Sequence, residues 1–467
     1  MGPAALFSAM IEASCSACAG GKNGFRGRGR RGLSISYTGR VIERADLCII
    51  GAGAAGLMSA IWAGRTASRN RQSMRITLLD GAKTLGAKIL VSGGGRCNVT
   101  HDVVDEHAFA GSSRNAIKKV LRRFDVQQTI EFFHDLGVEL KREETGKLFP
   151  VTDDAGTVLE ALLKAARDSG IEIRHPWRVE SLTKTGTGSI SVAGPAGTIE
   201  AARIVIATGG KSLPKTGSDG HGYELAKSLG HSIAPRVFAA LVPLTLPKDH
   251  WLCELSGVST RATLEVRSAT GKKLDSFTDS LLCTHFGISG PVAMDISRYL
   301  TDARLDDPAA HLVVDWLPER SFETVDASLT VLGKFSPGRW LREQGVPARL
   351  VDSLCAEAHI DPSSAAHQLT RDKRRELVSM LTQVVLPITG DRGFNHAEVT
   401  AGGVPLSGMR LETMESRVCP RLYLCGEICD VDGRIGGYNF QWAWASGFVA
   451  GTAAAEAISK APGEPRR

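Results

Sequence analysis

A short apolar run at residues 47–50, followed at once by Gly51-Ala52-Gly53-Ala54-Ala55-Gly56, constrains this chain more than any other feature. Three glycines at that spacing have three separate jobs. Gly51 permits a tight turn, Gly53 lets backbone approach a pyrophosphate, and Gly56 lets the following helix pack close to the strand. The helix expected over 57–65 is approached through Ala54 and Ala55, whose amides point at the phosphates. A second strand over 75–79 ends at Asp80, placed to accept hydrogen bonds from a ribose diol. Strand, turn, helix, strand and terminal acid make a β-α-β unit of about thirty residues, the size of a right-handed crossover. Residues 47–64 carry no charge and approach the length of a membrane span. Glycines at turn spacing argue for a buried strand, turn and helix instead. The same reasoning covers the apolar stretch 440–455, so no transmembrane segment and no stable membrane association is expected.

Further glycine-rich segments follow. In KILVSGGGRCN (88–98), consecutive Gly93, Gly94 and Gly95 cost conformational entropy and need a reason, such as backbone pressed against a ligand. Lys88, Ser92 and Arg96 flank that loop, and the two cations suit a phosphate or an anionic reduced flavin. Cys97 and Arg96 are the candidate catalytic residues, because a thiol beside a flavin can donate a proton. The alternative for Cys97 is a small buried hydrophobe. A strand over 203–207 stops at Thr208-Gly209-Gly210, setting backbone and a small side chain against the dinucleotide. Val179, in the preceding segment, would meet the adenine edge through its main chain.

Near the C-terminus a strand over 421–425 runs into Gly426 and Glu427. Gly426 would offer an amide to phosphate and Glu427 a carboxylate to the ribityl chain. Gly436, Gly437, Tyr438 and Asn439 then open a helix expected from about 440 to 459, with Gln441 in its first turn. The N-terminal dipole of such a helix stabilises negative charge at flavin N1/O2. Trp442 and Trp444 are two positions apart, cannot share a helix face, and are read as packing.

Elsewhere, 113–136 has helical character and alternating apolar positions over 171–192 suggest a β meander. The character changes after about 236, where short strand-like segments precede a mainly helical stretch over 303–385. The domains expected are a first part of the cofactor domain at 45–235, an insert at 236–388, and a completing segment at 389–467.

Charge is unevenly placed. Residues 1–44 hold seven Lys/Arg against Glu12 and Glu43, which accounts for most of the net +6. This Gly/Arg-rich stretch cannot build a core and reads as a disordered extension, with an RNA-contacting arm as the alternative. The nearly neutral remainder does not favour a polyanion binder. Ten cysteines lack the spacing of a disulfide framework, which favours a reducing, cytoplasmic setting. Cys15 and Cys18 form a CxxC without the second pair a zinc site needs, and no histidine has a ligand at useful spacing, so no metal site is expected.

Taken in order, IIGAGAAG, KILVSGGGRCNVT, ATGGKSLPKTGSDGHGYELAKSLGH, LLCTHFGISGP, AEVTAGGV and GEICDVDGRIGGYNFQWAWASG resemble the HI0933-like family of bacterial FAD-dependent oxidoreductases, also called BaiN-like or aminoacetone-oxidase-like, over about residues 45–455. The resemblance implies an α/β fold: a Rossmann-like two-dinucleotide-binding (GR2-like) FAD domain with an inserted barrel and helical domain. It implies FAD as cofactor and NAD(P)H as a transient reductant, with 211–222 as a contact segment. It also implies reduction of a conjugated carbon–carbon double bond, in a small-molecule enone or in a uracil ring of ribosomal RNA. Hydride would pass from flavin N5 to one carbon and a proton from Cys97 to its neighbour. Two other classes remain open: an amine oxidase consuming oxygen, and an RNA-binding or assembly protein with structural FAD.

Overall fold

Leu47, Cys48 and Ile49 are fully buried, as a strand covered on both faces requires, and they lie in the central strand of the main sheet, Val41–Ile50. The computed structural model describes residues 34–35 and 41–460. The Gly/Arg-rich run and the Cys15/Cys18 pair lie outside the described residues, whereas 41–44 belong to the strand.

Five strands run parallel in the spatial order Glu172–Arg174, Ile76–Leu79, Val41–Ile50, Gly197–Ile206, Leu422–Leu424. Numbered along the chain this is 3-2-1-4-5, the doubly wound order whose ligand crevice lies where the order reverses, beyond the carboxyl ends of strands one and four. Gly51 and Ala207 sit at those two ends. Helix Ala54–Arg69 follows the first strand, and helix Ala155–Asp168 leads into the third.

The segment 171–192 is not a simple meander. Residues Glu172–Arg174 join the parallel sheet, whereas Ile190–Gly194 pairs antiparallel with the fourth strand and Ser181–Lys184 pairs antiparallel with Ile190–Gly194 in turn. Alternation reports a half-buried strand but not which neighbour it will find. Likewise 113–136 forms two helices, Arg114–Leu121 and Val126–Asp135, because Asp125 and Gln128 build a capping box that starts a new helix.

Chain enters and leaves a second body through one antiparallel ladder, Phe238–Ala240 with Val399–Ala401. Beyond it lie a seven-stranded antiparallel sheet, including Ser259–Arg267 paired with Lys273–Thr284, and helices from Pro291–Asp306 to Arg371–Thr382. A strand, His311–Asp315, interrupts the stretch read as helical. The apolar side chains of this body, from Leu244 to Ile388, form their own core. Two buried-end ion pairs join it to the cofactor domain: Asp295 with Arg434 at 2.9 Å, and Arg298 with Asp432 at 2.7 Å.

The last helix, Tyr438–Ser459, lies against Ala54–Arg69. A Cβ on Gly447 would stand 2.6 Å from the carbonyl oxygen of Ala55, and one on Gly451 2.1 Å from that of Ser59. Glycine is required for two helix backbones to come so near. Its apolar sequence therefore reflects burial between layers; no helix among the described residues is long and apolar enough to cross a membrane.

Candidate functional site

The three glycines of the first turn occupy the three environments their spacing demands. Gly51 has φ +101°, and a Cβ there would meet the Ala207 carbonyl oxygen at 2.4 Å. At Gly56 a Cβ would lie 1.7 Å from the Gly51 oxygen, whereas at Gly53 it would meet nothing within 4 Å. The middle position alone faces open space. Ala54 and Ala55 begin the helix, whose first turn contains no acid. Asp80 accepts from the amides of Ala52 (2.6 Å) and Ala82 (2.7 Å), holding the loop while lone pairs remain for ribose hydroxyls.

Beside this turn run the residues of the other motifs. Ser92–Gly95 form a short helical turn in which Gly93, Gly94 and Gly95 all have positive φ, and the Ser92 hydroxyl donates to Ile89 O. Lys88 Nζ meets Glu427 Oε2 at 2.5 Å, and Glu427 Oε1 accepts from the Thr400 amide at 3.0 Å. A Cβ on Gly210 would collide with Thr400 Oγ1 and approach Glu427, so the third motif packs directly on the fourth. Gly209 has φ +75° and lies against Ser218. Val179 is buried two residues from Trp177, whose amide donates to the Asp80 carbonyl. Gly437 lies on the backbone of Thr100, and Tyr438 stacks on His101 with ring centroids 5.0 Å apart.

Several expected contacts are redirected. Gln441 is buried with its side-chain amide engaged at both ends: Oε1 accepts from Thr100 and Thr129, and Nε2 donates to Phe124 O. Asn439 forms a two-way pair with the backbone of Gly433. Gly426 gives its amide to Ser446 Oγ and its carbonyl to Trp442 Nε1, so that amide is not directed at a phosphate. These three residues shape the site from behind, because buried polar groups must find partners within the fold. Trp444 likewise donates to Val99 O and packs. Arg96 pairs with Glu143 at 2.7 Å and lies over the Phe149 ring. Cys97 is wholly buried in the main core, and burial pushes its thiol up to about 12. An inaccessible, weakly acidic thiol is poorly placed to give a proton to a substrate.

The arrangement fits FAD. Asn98 Oδ1, Thr208 Oγ1, Ser218 Oγ and His221 Nε2 are buried without hydrogen-bond partners among the described residues, and three of the four belong to one motif, 208–221. Such groups are free to hydrogen-bond a polar ligand. Gly53 and Gly94 have open space in front of them, and the two helices that open near the site, Ala54–Arg69 and Tyr438–Ser459, carry no acid in their first turns. Both ends suit anionic groups.

Sequence reading passed over Thr400 and Glu398. Thr400 Oγ1 accepts from the amides of Lys211 and Ser212 at 2.7 and 3.0 Å, binding the third motif to the ladder. Both residues sit in the AEVTAGGV run, so the signal was present as a motif without a role.

The model of the family described as HI0933-like protein Rossmann domain matches residues 45–453. The chain is 35% identical over 412 residues to the 3-dehydro-bile acid delta(4,6)-reductase of Clostridium scindens, covering 87% of this chain and 98% of that protein. It is 34% identical over 414 residues to the ribosomal RNA dihydrouridine synthase of Escherichia coli, covering 87% and 97%. It is 32% identical to the Haemophilus influenzae protein of that name, covering 87% and 98%. The chain belongs to the HI0933-like family of FAD-binding Rossmann oxidoreductases.

Proposed function

We infer that this protein is an NAD(P)H-driven reductase of a carbon–carbon double bond conjugated to a carbonyl, in an enone or in the uracil ring of ribosomal RNA. The observation that carries this reading is the pair of near-full-length relatives. One is a delta(4,6)-reductase and the other makes dihydrouridine, and both names describe saturation of a conjugated double bond. FAD, when bound, supplies the hydride. The chain's own residues would hold that cofactor through the open Gly53 turn, Asp80, the 93–95 loop and Thr208. The acid-free first turn of Tyr438–Ser459 biases the site towards negative charge on the cofactor, while the neutral Lys88–Glu427 pair holds the wall of the site together. Arg298 and Arg434, each held by a buried aspartate, fix the second body to the segment just before the last helix.

The test is anaerobic. Protein loaded with FAD should be bleached by NADPH or NADH and should regain its yellow colour on adding a conjugated steroid enone or ribosomal RNA lacking the modification. Peroxide release with an amine would favour an oxidase. A flavin inert to every donor would favour a binding protein with structural FAD.

A further inference from the structure

The geometry points to Glu398 as the proton donor of this reaction, its carboxyl entering the crevice from the ladder that joins the two bodies. The inference rests on the reductase reading above. Glu398 donates its amide to Leu241 O at 3.0 Å, which extends the ladder by one residue. Its neighbours Ala397, Val399 and Thr400 are buried, as is Leu241 opposite, yet Glu398 itself is exposed to solvent. In an extended strand, residues two apart share a face. Thr400 on that face is bonded to Lys211, Ser212 and Glu427, so Glu398 lies on the side that carries the cofactor wall.

Charges on three separate elements act on this carboxyl: Lys88 from the loop after the second strand, Lys147 from strand Lys147–Pro150, and Asp295 from the second body. Lys147 in turn stands beside Gly436, at the turn that opens the last helix. Glu398 is therefore enclosed by the cofactor loop, the helix-opening turn and the second body, and still open to water. Enclosure among these elements, which partly keeps the carboxyl from bulk water, raises it above the ordinary glutamate range, while the two lysines pull the other way.

Other acids nearby are committed. Glu427 holds Lys88 and the Thr400 amide, Asp295 holds Arg434 and the Ile435 amide, and Asp432 holds Arg298. Among the described residues Glu398 has no ion pair. Saturating the double bond needs a hydride, taken ultimately from the nicotinamide donor, and a proton. The Glu398 O–H bond breaks as a C–H bond forms at the carbon next to the hydride acceptor, and the carboxylate regains its proton from solvent.

Glu398→Gln keeps the shape and removes the acid. It should take up FAD, followed by fluorescence, and be reduced by NADPH at close to the wild-type rate. Reoxidation by enone or RNA should slow about 100-fold, the usual contribution of general acid catalysis, and the limb of the pH profile due to this group should vanish. Glu398→Asp should recover part of the rate and the pH limb. Independently of turnover, isotope-edited infrared titration of the FAD-free protein should show one carboxyl, absent from Glu398→Gln, protonated above the usual glutamate range. Wild-type reoxidation in Glu398→Gln, loss of its FAD binding, or an ordinary titration would overturn the assignment. Wild-type protein that no enone or RNA reoxidises would instead overturn the reductase reading itself.

Discussion

Lys88 Nζ and Glu427 Oε2 lie 2.5 Å apart although 339 residues separate them in the chain. The pair fastens the segment after the second strand to the turn after the fifth, and both side chains are partly buried. A hydrogen bond to a charged group contributes about 1.5–3 kcal/mol, so Glu427→Gln should weaken FAD binding by roughly tenfold or more. Fluorescence titration of FAD into the variant checks this. Unchanged affinity would mean that the pair only joins the two segments.

Gly53 and Gly56 should respond differently to the same substitution. Gly53→Ala adds a methyl in open space, so the melting temperature should hold while FAD uptake falls. Gly56→Ala drives a methyl to 1.7 Å from the Gly51 oxygen and should lower both. Thermal melts with and without FAD separate the two cases, and equal destabilisation would contradict the assignment of Gly53 to the ligand side.

Burial, aided by the neighbouring Asp432, pushes the Asp430 carboxyl up to about 6 from its ordinary value near 4. Between those values the folded protein binds a proton that the unfolded chain does not. This contribution to stability is present at low pH and is lost as pH rises through about 6. Asp430→Asn should flatten that part of the profile in denaturant unfolding measured from pH 4 to 7. An unaltered slope would place the titration elsewhere.

Cys97 sits in the core at φ +59° with its thiol held protonated. Cys97→Ala should therefore lower stability by about 1 kcal/mol and leave the rate of substrate reduction near wild type. A collapse of turnover with FAD retained would return Cys97 to the role of acid.

The fold's first unit was legible because its determinants are local. Strand burial, the three glycine environments and Asp80 all lie within about thirty residues, and hydrogen bonding within that span leaves one sensible arrangement. The side-chain partners of Gln441 and Asn439 were not legible, for the opposite reason. Both stand in a glycine-rich turn at a helix start, where an amide side chain suits a cofactor, but their partners are Thr100, Thr129, Phe124 and Gly433. Glu398 was quoted within a motif and given no task, since nothing in AEVTAGGV shows that its one charged side chain is exposed between buried neighbours.

By itself the sequence determined a dinucleotide crevice, its glycine turns and the family. Those follow from short-range periodicity and from backbone conformations that few residues can adopt. Tertiary structure alone decided which polar groups are consumed inside the fold, which remain unpartnered at the crevice, and that Lys88 meets Glu427. Burial and pairing are properties of segments brought together across hundreds of residues, and no local pattern encodes them.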